Sequence, residues 1–399
     1  MTITNKVSLK SVMAGNTPID DVPDAPTIGA ATDLGTGTTV SVAFTAATTG
    51  GAVTTYTATS TPGTLTGTSA TSPITVSGLT ASTAYTFKVK GTNSTATGPE
   101  SSASNSVTPV TPPSGGTTST VGGYNYHVFT SNSTFTLSAT KTVSILSVGG
   151  GGAGGSATSG GGGGGEVDLF SANSYTLGAG SYTVTVGLGG VKATNNINRG
   201  GQGGTSSFVG TGVNVQSLGG GGGNGYDNSS TRTGGAGGSG GGGSGEGGSC
   251  GGGAANGSNT NAGGSGVTAG SGWRGGGGGG GAGAAGSQGN GTSPAAGGNG
   301  GVGLTRASID SNLSSVTGFT TMSHVSSGGG GAGQSDSSGD NTTAGTGGTG
   351  AGNGYFETGA TGTNATVPTM FGCGGGGGNT LANPGSDGYA GVVVVRYSA

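Results

Sequence analysis

Three short inserts set an aromatic ring among polar groups: Asn224-Gly225-Tyr226-Asp227-Asn228, Gly272-Trp273-Arg274 and Gly354-Tyr355-Phe356-Glu357. An aromatic face stacks on the apolar face of a sugar or fills a pocket on a protein, and the Asn, Asp and Arg beside it supply directional hydrogen bonds. Tyr226, Asp227, Asn228, Trp273, Arg274, Tyr355 and Phe356 are therefore the residues expected to bind a receptor. The competing reading is that the aromatics seal the ends of a glycine-rich layer as small cores, and it applies most to Phe356 and Phe371.

Bond-making chemistry has little support. The two histidines, His127 and His324, lie in no cluster with metal-ligand spacing, so neither a zinc site nor a Ser-His-Asp triad has convergent partners, and both are expected to be structural or exposed. Glu166 and Asp168 are the closest acidic pair; on a strand they share a face, but no third group is evident to shift them, and solvated positions are expected. Gly-x-Gly-x-x-Gly matches arise by chance in such a chain, none opens an amphipathic helix, and no Gly-Lys-Ser/Thr phosphate loop occurs. No catalytic residue, cofactor or metal is expected.

The inserts need a frame, and glycine supplies it. Of 399 residues 104 are glycine, many in runs such as 160–165, 219–223 and 275–281. A run without side chains forms no ordinary core, yet it can lie as extended left-handed helices whose bare backbones bond to one another. Collagen is excluded by the lack of a three-residue sequence period and by only 12 prolines. Disorder is opposed by strand-like segments between the runs, including Phe135-Thr136-Leu137, residues 143–148, 182–186 and 392–395. A rigid scaffold displaying loops follows.

Composition narrows the partners. With 6% charged residues and a net charge of -3, no basic field attracts nucleic acid. No apolar stretch is long enough to cross a bilayer, and the amino terminus lacks the apolar segment of a secretory signal, so synthesis and folding in the cytoplasm are expected. Cys250 and Cys373 sit in glycine-rich stretches and are expected to be small packed residues rather than a pair.

Along the chain, residues 1–22 are polar and read as a docking segment. Residues 23–109 alternate Thr, Val and Ser with regular turn signals, as in a β-sandwich. Pro26, Val40-Ser41-Val42-Ala43-Phe44, Tyr56-Thr57-Ala58-Thr59-Ser60, Ile74-Thr75-Val76 and Tyr85-Thr86-Phe87-Lys88-Val89 together resemble a fibronectin type III domain. Phe44 stands where that family carries a buried tryptophan, and Leu79 followed by Tyr85 is similar to its tyrosine corner. Residues 110–120, with Pro112-Pro113, read as an extended linker.

From residue 121 to 399 the chain resembles a glycine-rich domain of phage tail proteins and some bacterial surface proteins. The resemblance rests on Tyr182-Thr183-Val184-Thr185-Val186-Gly187, on Gly200-Gly201-Gln202-Gly203-Gly204-Thr205 and on Val393-Val394-Val395-Arg396-Tyr397. It is also similar to tip adhesins of phage tail fibres, in which polyglycine-II helices hold loops that touch the host. The expected fold is thus all-β: a fibronectin type III-like sandwich, then a glycine-rich domain of polyglycine-II helices with flanking strands.

The resemblance implies a bacteriophage tail fibre or tip adhesin, located in the virion. It would join other virion proteins through residues 1–22 and bind a host surface glycan or outer-membrane protein. A homotrimer and a single-chain sandwich are both left open. The alternatives are a decoration of head, neck or tail without a receptor, and an ice- or surface-binding protein, which calls for a Thr or Ala ladder that the irregular inserts lack. A glycan-degrading enzyme is the third. Leu313, Val316, Phe319 and Met322 are expected to form a structural cluster under a longer excursion.

Overall fold

The computed structural model describes residues 22–194, 199–226, 232–269, 272–335, 341–358, 361–379 and 383–399, in two compact units, Met1–Pro112 and Pro113–Ala399. The fold is mainly β.

In the first unit, strands β1 (Thr27–Asp33), β2 (Val40–Thr45) and β5 (Ile74–Val76) form one sheet in the order β1-β2-β5. Strands β3 (Thr55–Thr61), β4 (Thr66–Ser69) and β6 (Thr86–Thr92) form a second in the order β4-β3-β6. All the pairings are antiparallel. Alternate residues of β2, β3 and β6 turn inward, so Val40, Val42, Phe44, Tyr56, Ala58, Phe87 and Val89 meet in one core. Phe44 packs on Tyr56 with ring centroids 4.4 Å apart, filling the apolar position with a smaller ring than tryptophan. The Tyr85 hydroxyl accepts a hydrogen bond from the Thr80 amide at 3.1 Å, which closes the corner expected after Leu79.

The second unit opens with strands β7 (Thr117–Val121), β8 (Tyr124–Phe129), β9 (Ser133–Leu137) and β10 (Lys141–Val148). Strand β7 pairs with β8, so the expected linker is shorter than 110–120 and ends before Thr117. After the first glycine runs come β11 (Val167–Asp168), β12 (Ser174–Leu177), β13 (Gly180–Thr185), β14 (Ser206–Gly210) and β15 (Val213–Ser217). Then follow the short strands β16 (Val267–Thr268), β17 (Trp273–Gly275), β18 (Leu304–Thr305), β19 (His324–Val325), β20 (Gly333–Ser335), β21 (Phe356–Thr358) and β22 (Thr361–Thr363). The chain closes on β23 (Val392–Ser398).

One sheet runs β11-β10-β23-β8-β7 with β12 also on β10, and another runs β15-β14-β13-β9. Between them lies a core of Phe129, Phe135, Ile145, Tyr182, Phe208, Val393 and Val395. The other face of the first sheet is covered too: Leu146, Val392 and Val394 pack with Phe170, Leu313, Val316, Phe319 and Phe371, and Met322 is half-buried against them. This explains the unbroken Val392-Val393-Val394-Val395 run, since a strand buried on both faces has no reason to alternate. Arg396 next to it lies over the Phe170 ring, 4.2 Å from its centroid, and pairs with Asp310 at 2.5 Å.

The glycine runs lie almost wholly outside the strands and helices, yet most of their amides are paired with backbone carbonyls. Residues 159–166 run through the centre, and their amides return to the same neighbour every third residue. Ser159, Gly162 and Gly165 donate to Gly378, Gly375 and Gly372. Gly160, Gly163 and Glu166 donate to Asn224, Gly221 and Leu218, and Gly161 and Gly164 donate to Gly277 and Gly280, all at 2.8–3.1 Å. Their carbonyls accept in the same rhythm from three more runs, at Gly152 and Gly155, Ser239 and Gly242, and Gly329 and Ala332. The central run is thus bonded on all sides by backbone.

Glycine is required here by space. A Cβ on Gly161, Gly162 or Gly163 would lie under 3.0 Å from the carbonyl oxygen of Gly329, Gly152 or Ser239 respectively. The neighbour's oxygen occupies the place where a side chain would begin.

Candidate functional site

The central run gives the glycine-rich unit two ends. Near Glu166 the surrounding runs join the strands: Leu218 follows β15, Gly149 follows β10, and both are bonded to Glu166. Near Ser159 the same runs leave as loops. Gly245 donates to Thr158 there, Tyr226 donates to Ser156, and Ala332 donates to Ser159.

The expected receptor residues that lie among the described ones converge on this loop end. Tyr226 is half-buried two residues beyond Asn224, the partner of Gly160. Trp273 and Arg274 lie on β17, three and two residues from Gly276, whose added Cβ would meet Ser159. Strand β17 pairs with β20 in the register Trp273↔Ser335 and Arg274↔Gln334, and with β16 through Arg274↔Thr268. The Tyr355 carbonyl accepts from the amide of Gly333, the first residue of β20, and Phe356 starts β21. Asp227 and Asn228 lie outside the described residues.

Side chains that the sequence reading did not single out join these loops. Glu246 Oε2 lies 3.0 Å from Arg274 Nε, and the Thr158 hydroxyl donates toward Glu246 Oε1 (3.3 Å) and toward Gln334. Arg232 donates to the Glu246 carbonyl at 2.9 Å and sits 5.0 Å from the centroid of the Tyr226 ring. A half-buried charged network therefore ties the Tyr226 loop to the Trp273 strand. Its sequence signal was the appearance of Arg232 and Glu246 at run ends, in a chain with only 11 basic and 14 acidic residues.

Trp273, Arg274 and Phe356 are half-buried, so part of each side chain meets solvent. Tyr355 is not presented in this way. It is 3% exposed, and its hydroxyl occupies the space that a Cβ on Gly362 would take, so it seals the β21–β22 hairpin instead of facing outward. Phe371 is likewise a core residue, packed on Phe319.

The titratable groups hold structure together. Glu166 was expected to be solvated but is 5% exposed, and its two carboxylate oxygens accept from the amides of Ser258 (2.7 Å) and Leu218 (2.9 Å). These amides, from the segment after β15 and from a distant loop, find their acceptor in this one buried carboxylate at the end of the central run. Asp168 accepts from the Ser217 hydroxyl at 2.8 Å; burial, with Glu166 nearby, raises its pKa. His127 is 2% exposed, with Nδ1 2.6 Å from the Gly115 carbonyl and Nε2 3.1 Å from the Tyr397 hydroxyl, and burial lowers its pKa. His324 lies 3.0 Å from the Ser323 hydroxyl. Cys250 and Cys373 are separate, buried thiols, and complete burial pushes Cys373 up to about 11. No group of three or more metal-ligating residues occurs among the described residues.

The chain belongs to the glycine-rich domain family, which matches residues 127–398, and it carries a fibronectin type III domain over residues 24–107. No curated protein sequence matches it. Among solved structures, it is similar to titin kinase with its flanking domains (24% identity, 22% of this chain and 17% of that one, TM-score 0.20). It is also similar to the FN1-FN3 domains of chicken CNTN1 (15% identity, 47% and 60% covered, TM-score 0.20). A two-domain fibronectin type III segment of chicken tenascin matches at 15% identity, with 42% and 90% covered and a TM-score of 0.19. The chain spans less than a third of the length of the two titin structures it matches.

Proposed function

We propose that this member of the glycine-rich domain family is a bacteriophage virion protein, a tail fibre or tip adhesin that holds the host surface without covalent chemistry. The observation that carries the reading is the gathering of Tyr226, Trp273, Arg274 and Phe356 at one end of a backbone-bonded glycine layer. Loops anchored at both sides by such a layer lose little freedom on binding, so their contacts are not spent on ordering them.

The runs are read as polyglycine-II helices. Three residues per turn returns each amide to the same neighbour at every third residue, which is the rhythm of the bonds along 159–166. In this reading residues 1–22 join other virion proteins, the fibronectin type III domain spaces the binding end from the particle, and the receptor is a host glycan or outer-membrane protein.

Particles carrying Trp273→Ala with Tyr226→Ala test it. Loss of two aromatic anchors lowers adsorption by roughly tenfold or more, since an anchor of this kind contributes about 2 kcal/mol. Particle assembly and the thermal midpoint of the purified chain stay as in the parent. Unchanged adsorption would refute the adhesin reading and favour a decoration without a receptor, which labelled antibody would then place elsewhere on the particle.

A further inference from the structure

The outermost runs of the glycine layer have open sides, and two of them are complementary. In the run around residues 187–191, the amides of Gly187 and Gly190 donate to Ser206 Oγ and the Gly151 carbonyl. Those of Leu188 and Val191 meet no acceptor among the described residues. Residues three apart face the same way in this packing, so the two free amides share a side. The Leu188 and Val191 side chains likewise point alike, and they are 75% and 68% exposed.

A second run, around residues 297–302, has the opposite polarity. The amides of Gly298 and Gly301 donate to Gly276 and Gly279, while the carbonyls of Gly297 and Gly300 accept nothing among the described residues. Val302 beside them is 48% exposed. The first run meets the layer through Gly150, Gly151 and Ala153; the second meets it through Gly276, Gly279, Gly328 and Gly331. These inner runs bond to the central one at different sides, so the donor edge and the acceptor edge belong to separate margins of the unit.

We infer that copies of this chain join edge to edge, with the Leu188 and Val191 amides of one copy donating to the Gly297 and Gly300 carbonyls of the next. Both pairs are spaced by three residues, about 9 Å in an extended three-fold helix, so both bonds form in one register. The occupant must be a run with almost no side chains, because a Cβ in such packing lands on a neighbouring carbonyl. The same chain supplies that run. Leu188 and Val191 then cover apolar surface beside Val302. An open margin of bare backbone groups behaves like the edge strand of a sheet, which pairs with another chain unless it is blocked. The contact is head-to-tail, so it closes into a ring or continues as a filament.

Sedimentation of the full-length chain over a range of concentrations tests this. The parent forms dimers and larger species as concentration rises. Leu188→Pro with Val191→Pro removes both donors while suiting the extended backbone, and this variant stays monomeric with an unchanged thermal midpoint. Val302→Asp blocks the acceptor edge and is also monomeric. A mixture of the two variants retains one intact contact, donor edge from the Val302→Asp chain and acceptor edge from the proline chain, and stops at a one-to-one dimer. A parent that is monomeric at every concentration overturns the inference, as does a mixture that forms no dimer. If the proline variant does not fold, Val191→Asp replaces it in the mixture, with the same expected and overturning results.

Discussion

A Cβ on Gly162 would lie under 3.0 Å from the carbonyl oxygen of Gly152, the residue whose amide donates to Gly163. Backbone, not a movable side chain, occupies that space. Gly162→Ala therefore forces two runs apart and breaks bonds on both, with an expected loss of about 3 kcal/mol or more, at the severe end for a single substitution. Gly178→Ala is the control, because nothing lies within 4 Å of its Cβ. Chemical denaturation of the two variants should separate them clearly; equal stabilities would show that the runs do not pack backbone to backbone.

Asp310 joins the long excursion to the closing strand. Its Oδ2 accepts from the Tyr126 hydroxyl at 2.6 Å and pairs with Arg396, and its side chain is only 5% exposed. Asp310→Ala leaves the guanidinium held over Phe170 without its counter-ion, at an expected cost of about 3 kcal/mol in urea unfolding. A loss below about 1 kcal/mol would mean that the pair behaves as an exposed surface ion pair.

His127 gives the second unit a pH dependence. Burial lowers its folded pKa below the unfolded value of about 6.5, so the unfolded chain binds the extra proton first. The contribution is complete above the unfolded pKa and falls as pH drops from there toward the folded pKa. The thermal midpoint of the parent should fall, as the pH drops below about 6.5, more steeply than that of His127→Gln, compared at the same pH values. Parallel profiles would show that His127 does not titrate on unfolding.

Much of the strand framework was legible in the sequence, and the reasons are specific. Val40, Val42 and Phe44 alternate with polar residues, and Val392 to Val395 run unbroken, so one pattern announces a half-buried strand and the other a fully buried one. Tyr85 and the Val-Val-Val-Arg-Tyr element also stood out, because their side chains perform particular tasks. The pairing of glycine runs was not legible. Gly161 bonds to Gly277 and Gly162 to Gly375, but identical residues without side chains carry no mark of their neighbours.

The loop end was legible as inserts and not as a network. Trp273 and Tyr226 are noticed as aromatics at run ends, whereas Glu246 gains its meaning only when folding brings it to Arg274 and Thr158. The burial of Glu166 is hidden in the sequence for a related reason: its partners, the amides of Leu218 and Ser258, are backbone groups far along the chain. Tyr355 looked like a displayed ring because the sequence does not reveal that Gly362 leaves room for its hydroxyl.

Amide hydrogen exchange of the full-length chain, resolved along residues 149–166 and 275–280, is the most direct measurement of whether glycine backbones alone make a stiff platform. Slow exchange is expected for Gly161, Gly162, Gly163 and Gly164, approaching that of the Val393 and Val395 amides in the core strand. Exchange of those glycines at the rate of an unstructured peptide, while the core strand remains protected, would contradict it.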